Sequence, residues 1–112
     1  MNNVEKGRRG EKIARRYLKL RLYKILEMNY RRSTGEIDII AKKGSYVVFV
    51  EVKYRKNADK GLPREAVTAF KQRQIKRTAE MYIAENNLKC DFRFDVIEIL
   101  GDKVEHIENA FW

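Results

Sequence analysis

The stretch Gly35–Arg55, GEIDIIAKKGSYVVFVEVKYR, decides how this chain is read. Two runs of alternating or continuous apolar residues flank a short polar break containing Gly44-Ser45, the sequence form of a β-hairpin. Glu36 and Asp38 lie in the first run, and Glu51 and Lys53 in the second. If Gly44-Ser45 is a two-residue turn with glycine first, the pairing is set. Asp38 then faces Glu51, and Glu36 faces Lys53. Ile37, Ile39, Ala41, Val48, Val50 and Val52 share the other face, which is wholly apolar and must be core. On the charged face Ile40 and Phe49 sit near the turn, and charge collects at the far end. Two carboxylates directly opposite on one sheet face repel. A divalent cation would remove that penalty, and magnesium is typically held by one or two carboxylates with water and substrate phosphate.

The triplet Glu51-Val52-Lys53 alone says little. With 16 acids and 13 lysines in 112 residues, chance supplies about two acid-x-Lys triplets. Charges on a hairpin face are ordinarily solvated, and only the register sets a metal site beside that plainer reading. A one-residue change in loop length would put Asp38 and Glu51 on opposite faces.

Length suits a single domain over residues 1–112, able to bury about two-thirds of its unfolded surface. The 37% of charged residues include both signs and mix with apolar periodicity, which excludes global disorder. A net charge of +9 implies polyanionic partners, nucleic acid before acidic membrane surfaces. Cys90 has no intramolecular disulfide partner, and no Cys or His cluster has zinc-binding spacing. His106, the only histidine, is expected to be structural or solvated. The polar start MNNVEKGRRG has no signal-peptide character and no apolar run reaches membrane-spanning length, so a soluble, cytoplasmic protein without a membrane partner is expected.

Asn3 can cap a helix from about Val4 to Leu22, with Glu5 in its first turn. Ile13, Ala14, Tyr17, Leu18 and Leu22 recur at helical spacing and should face the sheet, with Glu11 at the edge of that stripe. Gly7 and Gly10 each cost about 1 kcal/mol relative to alanine inside a helix, which implies a close backbone approach. Residues 1–34 hold eleven Lys/Arg and three Glu, a net of +8, nearly all of the chain's excess. Arg8, Arg9, Lys12, Arg15, Arg16 and Lys19 coat the outer face of the helix, and Arg31-Arg32 precede the hairpin. One-sided charge of this kind suits phosphate binding. Tyr23–Tyr30 reads as a strand, and Asn57–Gly61 as a polar loop. Pro63 fits the first turn of a second helix running to about Asn86. Its buried side is Val67, Phe70, Ile75, Ala79, Tyr82 and Ile83, and its basic cluster Lys71, Arg73, Lys76 and Arg77. Cys90–Leu100 alternates as a strand, with Phe92, Phe94, Val96 and Ile97 available to the core. Gly101-Asp102 turns into a last strand, Val104–Ile107, and the tail through Phe111 and Trp112 should pack on the domain. The order α-β-β-β-α-β-β is an α/β arrangement of helices on a mixed sheet.

In order and spacing, GRRGEKIARRYL, GEIDIIAKKG, VVFVEVKYR, GLPREAV with Lys71-Gln72, and RFDV resemble the YraN-type family of proposed endonucleases. That family is similar to Holliday-junction resolvases within the PD-(D/E)xK nuclease superfamily, and the resemblance runs from about Gly7 to the end. It implies a restriction-endonuclease-like core that binds Mg2+ or Mn2+ through Asp38, Glu51 and the backbone carbonyl of Val52. It also implies that Lys53 orients or helps deprotonate the attacking water, and that Glu11 joins the site. Ile37 stands where the superfamily name has proline, a variable position. Arg8, Arg9, Lys12, Arg15, Arg16, Arg31, Arg32, Arg55 and Lys71 are the candidates for holding the nucleic-acid backbone.

Three functions follow as expectations. The first is a metal-dependent endonuclease hydrolysing branched or structured DNA. The second is a non-catalytic basic nucleic-acid-binding module on the same fold, and the third is a basic scaffold for a protein or membrane partner. Junction, flap, single strand and RNA remain open as substrates. Analogy with resolvases allows a homodimer, since symmetric junction cleavage needs two active sites.

Overall fold

The sheet grows from the hairpin. β2 (Gly35–Lys43) and β3 (Tyr46–Arg55) pair antiparallel, with Lys43 opposite Tyr46 and Ile39 opposite Val50. Gly44, at φ 58°, makes the two-residue turn, a left-handed conformation that glycine adopts without cost. The computed structural model describes residues 3–55 and 67–111, with side chains from residue 7 onward. Capping by Asn3 and Glu5, the loop Asn57–Gly61, the Pro63 helix start and the packing of Trp112 therefore lie outside the described residues.

Five strands form one sheet in the order β1-β2-β3-β4-β5, where β1 is Lys24–Arg32, β4 is Asp91–Leu100 and β5 is Lys103–Ile107. Only β3 and β4 are parallel, and the helix α2 (Ala69–Glu85) lies between them in sequence, as a parallel crossover requires. With α1 (Asn3–Leu20), the order is α-β-β-β-α-β-β. The two helices cover opposite faces. Ala14 and Leu18 of α1 pack with Ile39, Ala41, Val48, Val50, Ile97 and Ile99. Ile75, Ala79 and Tyr82 of α2 pack with Ile40, Phe49, Phe94 and Val96, closed at one end by Phe111 stacked on Phe94. Covered on both sides, β3 carries a continuous apolar run, Tyr46–Val50, while β4 keeps charged residues among its apolar ones.

Several expectations are corrected. α1 stops at Leu20, because Leu22 turns left-handed (φ 68°) and the chain closes with Leu22 N–H to Lys19 O and Tyr23 N–H to Leu18 O, each 3.0 Å. This terminating motif brings Tyr23 back under the helix, so Tyr23 is buried and Leu22 is 82% exposed. α2 begins at Ala69, capped by extended Thr68, whose hydroxyl accepts from Lys71 N–H at 3.2 Å. Phe70 is 62% exposed, since it lies about 140° round the helix from Ile75 at 3.6 residues per turn. Ile37 packs on the α2 side whereas Ile39 packs on the α1 side. The β1–β2 pairing skips the position between Met28–Ile39 and Tyr30–Ile37, where Asn29 adopts φ 53°, and the alternation resets there.

Gly10 is the glycine that a close approach demands. A Cβ there would stand 3.2 Å from Tyr54 Cβ, whereas one at Gly7 would meet nothing. Gly10→Val should therefore destabilise the chain by about 1–3 kcal/mol through overpacking, and Gly7→Ala should stabilise it by about 1 kcal/mol. Denaturant midpoints of the two variants check the contrast.

Candidate active site

The hairpin ladder ends at Ile39–Val50. The next position in that register would pair Asp38 with Glu51, and here side chains replace the ladder. Asp38 Oδ2 accepts the Val52 N–H at 2.8 Å, and its carboxyl lies within hydrogen-bonding reach of Glu51. Glu36 does not pair with Lys53; it faces Arg31 across β1 and accepts from its guanidinium at 3.0 Å. A strand residue points its N–H and C=O to the same side, so the Val52 carbonyl also faces the Asp38 side.

Glu51 is buried and Asp38 half-buried. Among the described residues Glu51 Oε2 has no hydrogen-bond partner. Lys71 of α2 lies 3.8 Å away. Burial pushes the Asp38 carboxyl well above its ordinary range, and Glu51 adds to this through hydrogen bonding and charge. The Val52 N–H and Lys71 oppose the shift without cancelling it.

Glu11 approaches from α1. It lies on the helix's buried stripe, three residues before Ala14 and seven before Leu18, both fully buried, rather than at its edge. Burial raises its pKa; a hydrogen bond from Asn29 opposes this, and the charges of Asp38 and Glu36 add to it. The kinked strands at Asn29 and Asp38 thus meet the helix. Among the described residues no three His, Cys, Asp or Glu side chains are grouped to hold a metal, so Glu11 borders the Asp38–Glu51 pair without completing a three-ligand set.

Lys53 is half-buried and, two residues after Glu51, on the same face of β3. Its strand partner is Glu98 of β4. Glu98 is a further buried acid, raised in pKa by burial and opposed by Arg55. Arg55 Nε lies 3.2 Å from Glu98 Oε2, misaligned for a hydrogen bond. The alternation of DFRFDVIEIL places Glu98 on the face of Phe94 and Val96, a signal that sequence reading passed over. Lys71, expected to hold a nucleic-acid backbone, lies four residues before Ile75 on the inward stripe of α2 and approaches Glu51.

The orphaned Glu51 oxygen beside a second carboxyl fits a divalent cation of the kind held by one or two carboxylates and a carbonyl. The basic residues divide into two groups. Arg8, Arg9, Lys12, Arg15, Arg16 and Lys19 of α1 are exposed, with only a loose 3.9 Å approach of Arg9 to Asp102. Arg31, Arg32 and Arg55 are engaged with Glu36, Glu85 and Glu98, and Arg32 also lies over the Tyr30 ring.

Residues 10–99 match the model of the uncharacterised protein family UPF0102. The chain is 51% identical to a UPF0102 protein of Clostridioides difficile, over 99% of this chain and all of that one. It is 47% identical to a UPF0102 protein of Thermodesulfovibrio yellowstonii, with both chains covered in full. Over 99% of this chain and all of the other, it is 48% identical to a UPF0102 protein of Caldicellulosiruptor saccharolyticus.

An acid whose pKa is raised by folding binds its proton more tightly in the folded state. Stability then falls as pH climbs from the ordinary carboxylate range through the raised value. Asp38→Asn removes this loss and keeps an oxygen for the Val52 N–H. In mildly alkaline, metal-free buffer the variant should melt above the wild type, with the gap closing on acidification. Melting midpoints across pH test this; a wild-type stability unaffected by the substitution at every pH would contradict it.

Proposed function

The chain belongs to the uncharacterised protein family UPF0102, and we propose that it is a metal-dependent endonuclease that hydrolyses phosphodiester bonds in branched or structured DNA. The observation that carries this reading is the Asp38–Glu51 pair, with Glu51 Oε2 buried and without a hydrogen bond among the described residues. Asp38, Glu51 and the Val52 carbonyl would hold Mg2+ or Mn2+. When bound, such an ion supplies Lewis acidity toward a phosphoryl oxygen and lowers the pKa of water.

The chain's own residues do the rest. The Val52 N–H fixes the Asp38 carboxylate at 2.8 Å, so one ligand is oriented before a metal arrives. Lys71, 3.8 Å from Glu51, and Lys53 on the same strand face place positive charge where negative charge develops on the phosphate. Lys53 is also the residue proposed to orient the attacking water, and Glu11 the neighbouring acid that keeps local charge negative before the metal enters. The exposed α1 cations hold the sugar-phosphate backbone without reading sequence, so preference would come from nucleic-acid shape.

Mg2+- or Mn2+-dependent cleavage of four-way junctions, flaps or forks, weakened by salt, is the expected activity. Asp38→Ala, Glu51→Gln and Lys53→Ala should each lower the rate by at least about 100-fold. Full activity in both Asp38→Ala and Lys53→Ala would overturn the proposal. Salt-dependent binding without cleavage under either metal would make the chain a nucleic-acid-binding module instead.

A further inference from the structure

A cleft of about 570 Å³ opens at the other end of the sheet, between the C-terminus of α1, the start of β1, the hairpin turn and β5. From Asp38 to Lys43 along β2 the separation is about 16 Å, at roughly 3.3 Å per residue. Tyr17, Arg21, Tyr23, Lys43, His106 and Glu108 line it. Its wall is held by a buried network. Asp95, fully buried, accepts from Arg93 twice at 2.9 Å, from the Asn109 N–H at 3.0 Å, and contacts His106 Nε2 at 2.7 Å. Arg93 also donates to the Tyr23 hydroxyl at 2.7 Å. Burial pushes the Asp95 carboxyl up, but its hydrogen bonds from His106, Arg93 and Asn109 outweigh this and hold it below the ordinary range. A carboxylate paired this completely fixes the orientation of the rings around it.

The cleft presents flat rings and cations. The Arg21 guanidinium lies 3.8 Å over the Tyr17 ring and is exposed. Lys43 Nζ is 5.3 Å from the Tyr23 ring centroid and donates to the Arg21 carbonyl at 2.6 Å. Tyr17 meets His106 edge to face. Glu108 is the only acid in the lining among the described residues; it lies 3.5 Å from Arg93 and accepts from the Tyr23 hydroxyl at 3.4 Å. A smaller groove of about 330 Å³, lined by Lys12, Arg15, Arg16 and Lys19, runs along α1 and meets the cleft at Leu20. The basic stripe therefore leads from the neighbourhood of Glu11 into the aromatic cleft.

We infer that this cleft binds an unpaired nucleotide of the nucleic acid held along α1, its base stacked on the Arg21–Tyr17 pair and its phosphate near Lys43. Bases in single strands stack on aromatic rings and on guanidinium planes alike, and a cationic groove ending in such a platform is how single strands are gripped. At about 3.4 Å per nucleotide, the distance to Asp38 corresponds to about five nucleotides. The substrate class this names, a duplex with a single-stranded arm, rests on the nuclease reading, but the cleft can be tested apart from cleavage.

The experiment is fluorescence anisotropy in metal-free buffer with Asp38→Asn protein, which separates binding from hydrolysis. The probes are a blunt DNA duplex and the same duplex carrying a single-stranded arm of about eight nucleotides. The armed duplex should bind at least about tenfold more tightly. Arg21→Lys, which keeps the charge and loses the plane, should remove most of that preference and leave blunt-duplex affinity within about twofold. Arg15→Glu with Arg16→Glu should weaken both probes together. Equal affinity for the two probes, or a preference untouched by Arg21→Lys, overturns the inference. A preserved preference, beside wild-type protein that cleaves none of the probes with Mg2+ or Mn2+, would leave the cleft intact and refute the nuclease reading alone.

Discussion

Two carboxyl groups that repel each other, Asp38 and Glu51, sit where the hairpin ladder stops, and the surrounding chain is arranged around that contact. β2 gives up a backbone pair there so that Asp38 can take the Val52 N–H. β1 follows with Asn29 in a left-handed conformation, and the Asn29 side chain binds Glu11 on α1. From the other face α2 sends in Lys71. Lys71 stands 3.8 Å from Glu51, and burial, with the neighbouring acids adding to it, still raises the pKa values of Asp38 and Glu11. Burying carboxyls side by side is costly in a folded chain, and a divalent ion would offset that cost.

The same logic sorts the arginines. Side chains on the strands and at the sheet edges are used by the fold, Arg32 against Glu85 and Tyr30, Arg55 against Glu98, Arg93 against Asp95. The cations of α1 are solvent-facing and close together. A polyanion would relieve their mutual repulsion, and Lys12, Arg15, Arg16 and Lys19 line a groove that shares Leu20 with the aromatic cleft. Net charge alone points to a polyanion; only this division says which face it would lie on.

Much of the fold is legible in the sequence because its signals are local. Gly44-Ser45 sets the turn, the alternation in GEIDIIAKK and YVVFVEVKYR sets the register, and the register brings Asp38 to Glu51. The misses share a cause: each depends on a contact between distant segments. Leu22 follows helical spacing, yet the burial of Tyr23 terminates the helix before it. Ile37 follows strand alternation, yet the kink shared by β1 and β2 moves it to the other face. Glu98 carries the right periodicity but draws attention only once β3 has been placed beside it, and Lys71, expected to hold a nucleic-acid backbone, approaches Glu51. The apolar core was the easier half, and the charges that converge across four elements the harder.

The most direct measurement is calorimetric titration of Mn2+ into the wild-type chain and into Asp38→Asn, in mildly acidic buffers of different ionisation enthalpy. Carboxyls with raised pKa must lose their proton to take a metal. The wild type should bind Mn2+ with release of about one proton, and Asp38→Asn should bind far more weakly and release none. Equal Mn2+ affinity in the two proteins, or wild-type binding without proton release, would show that Asp38 and Glu51 are not where the metal goes.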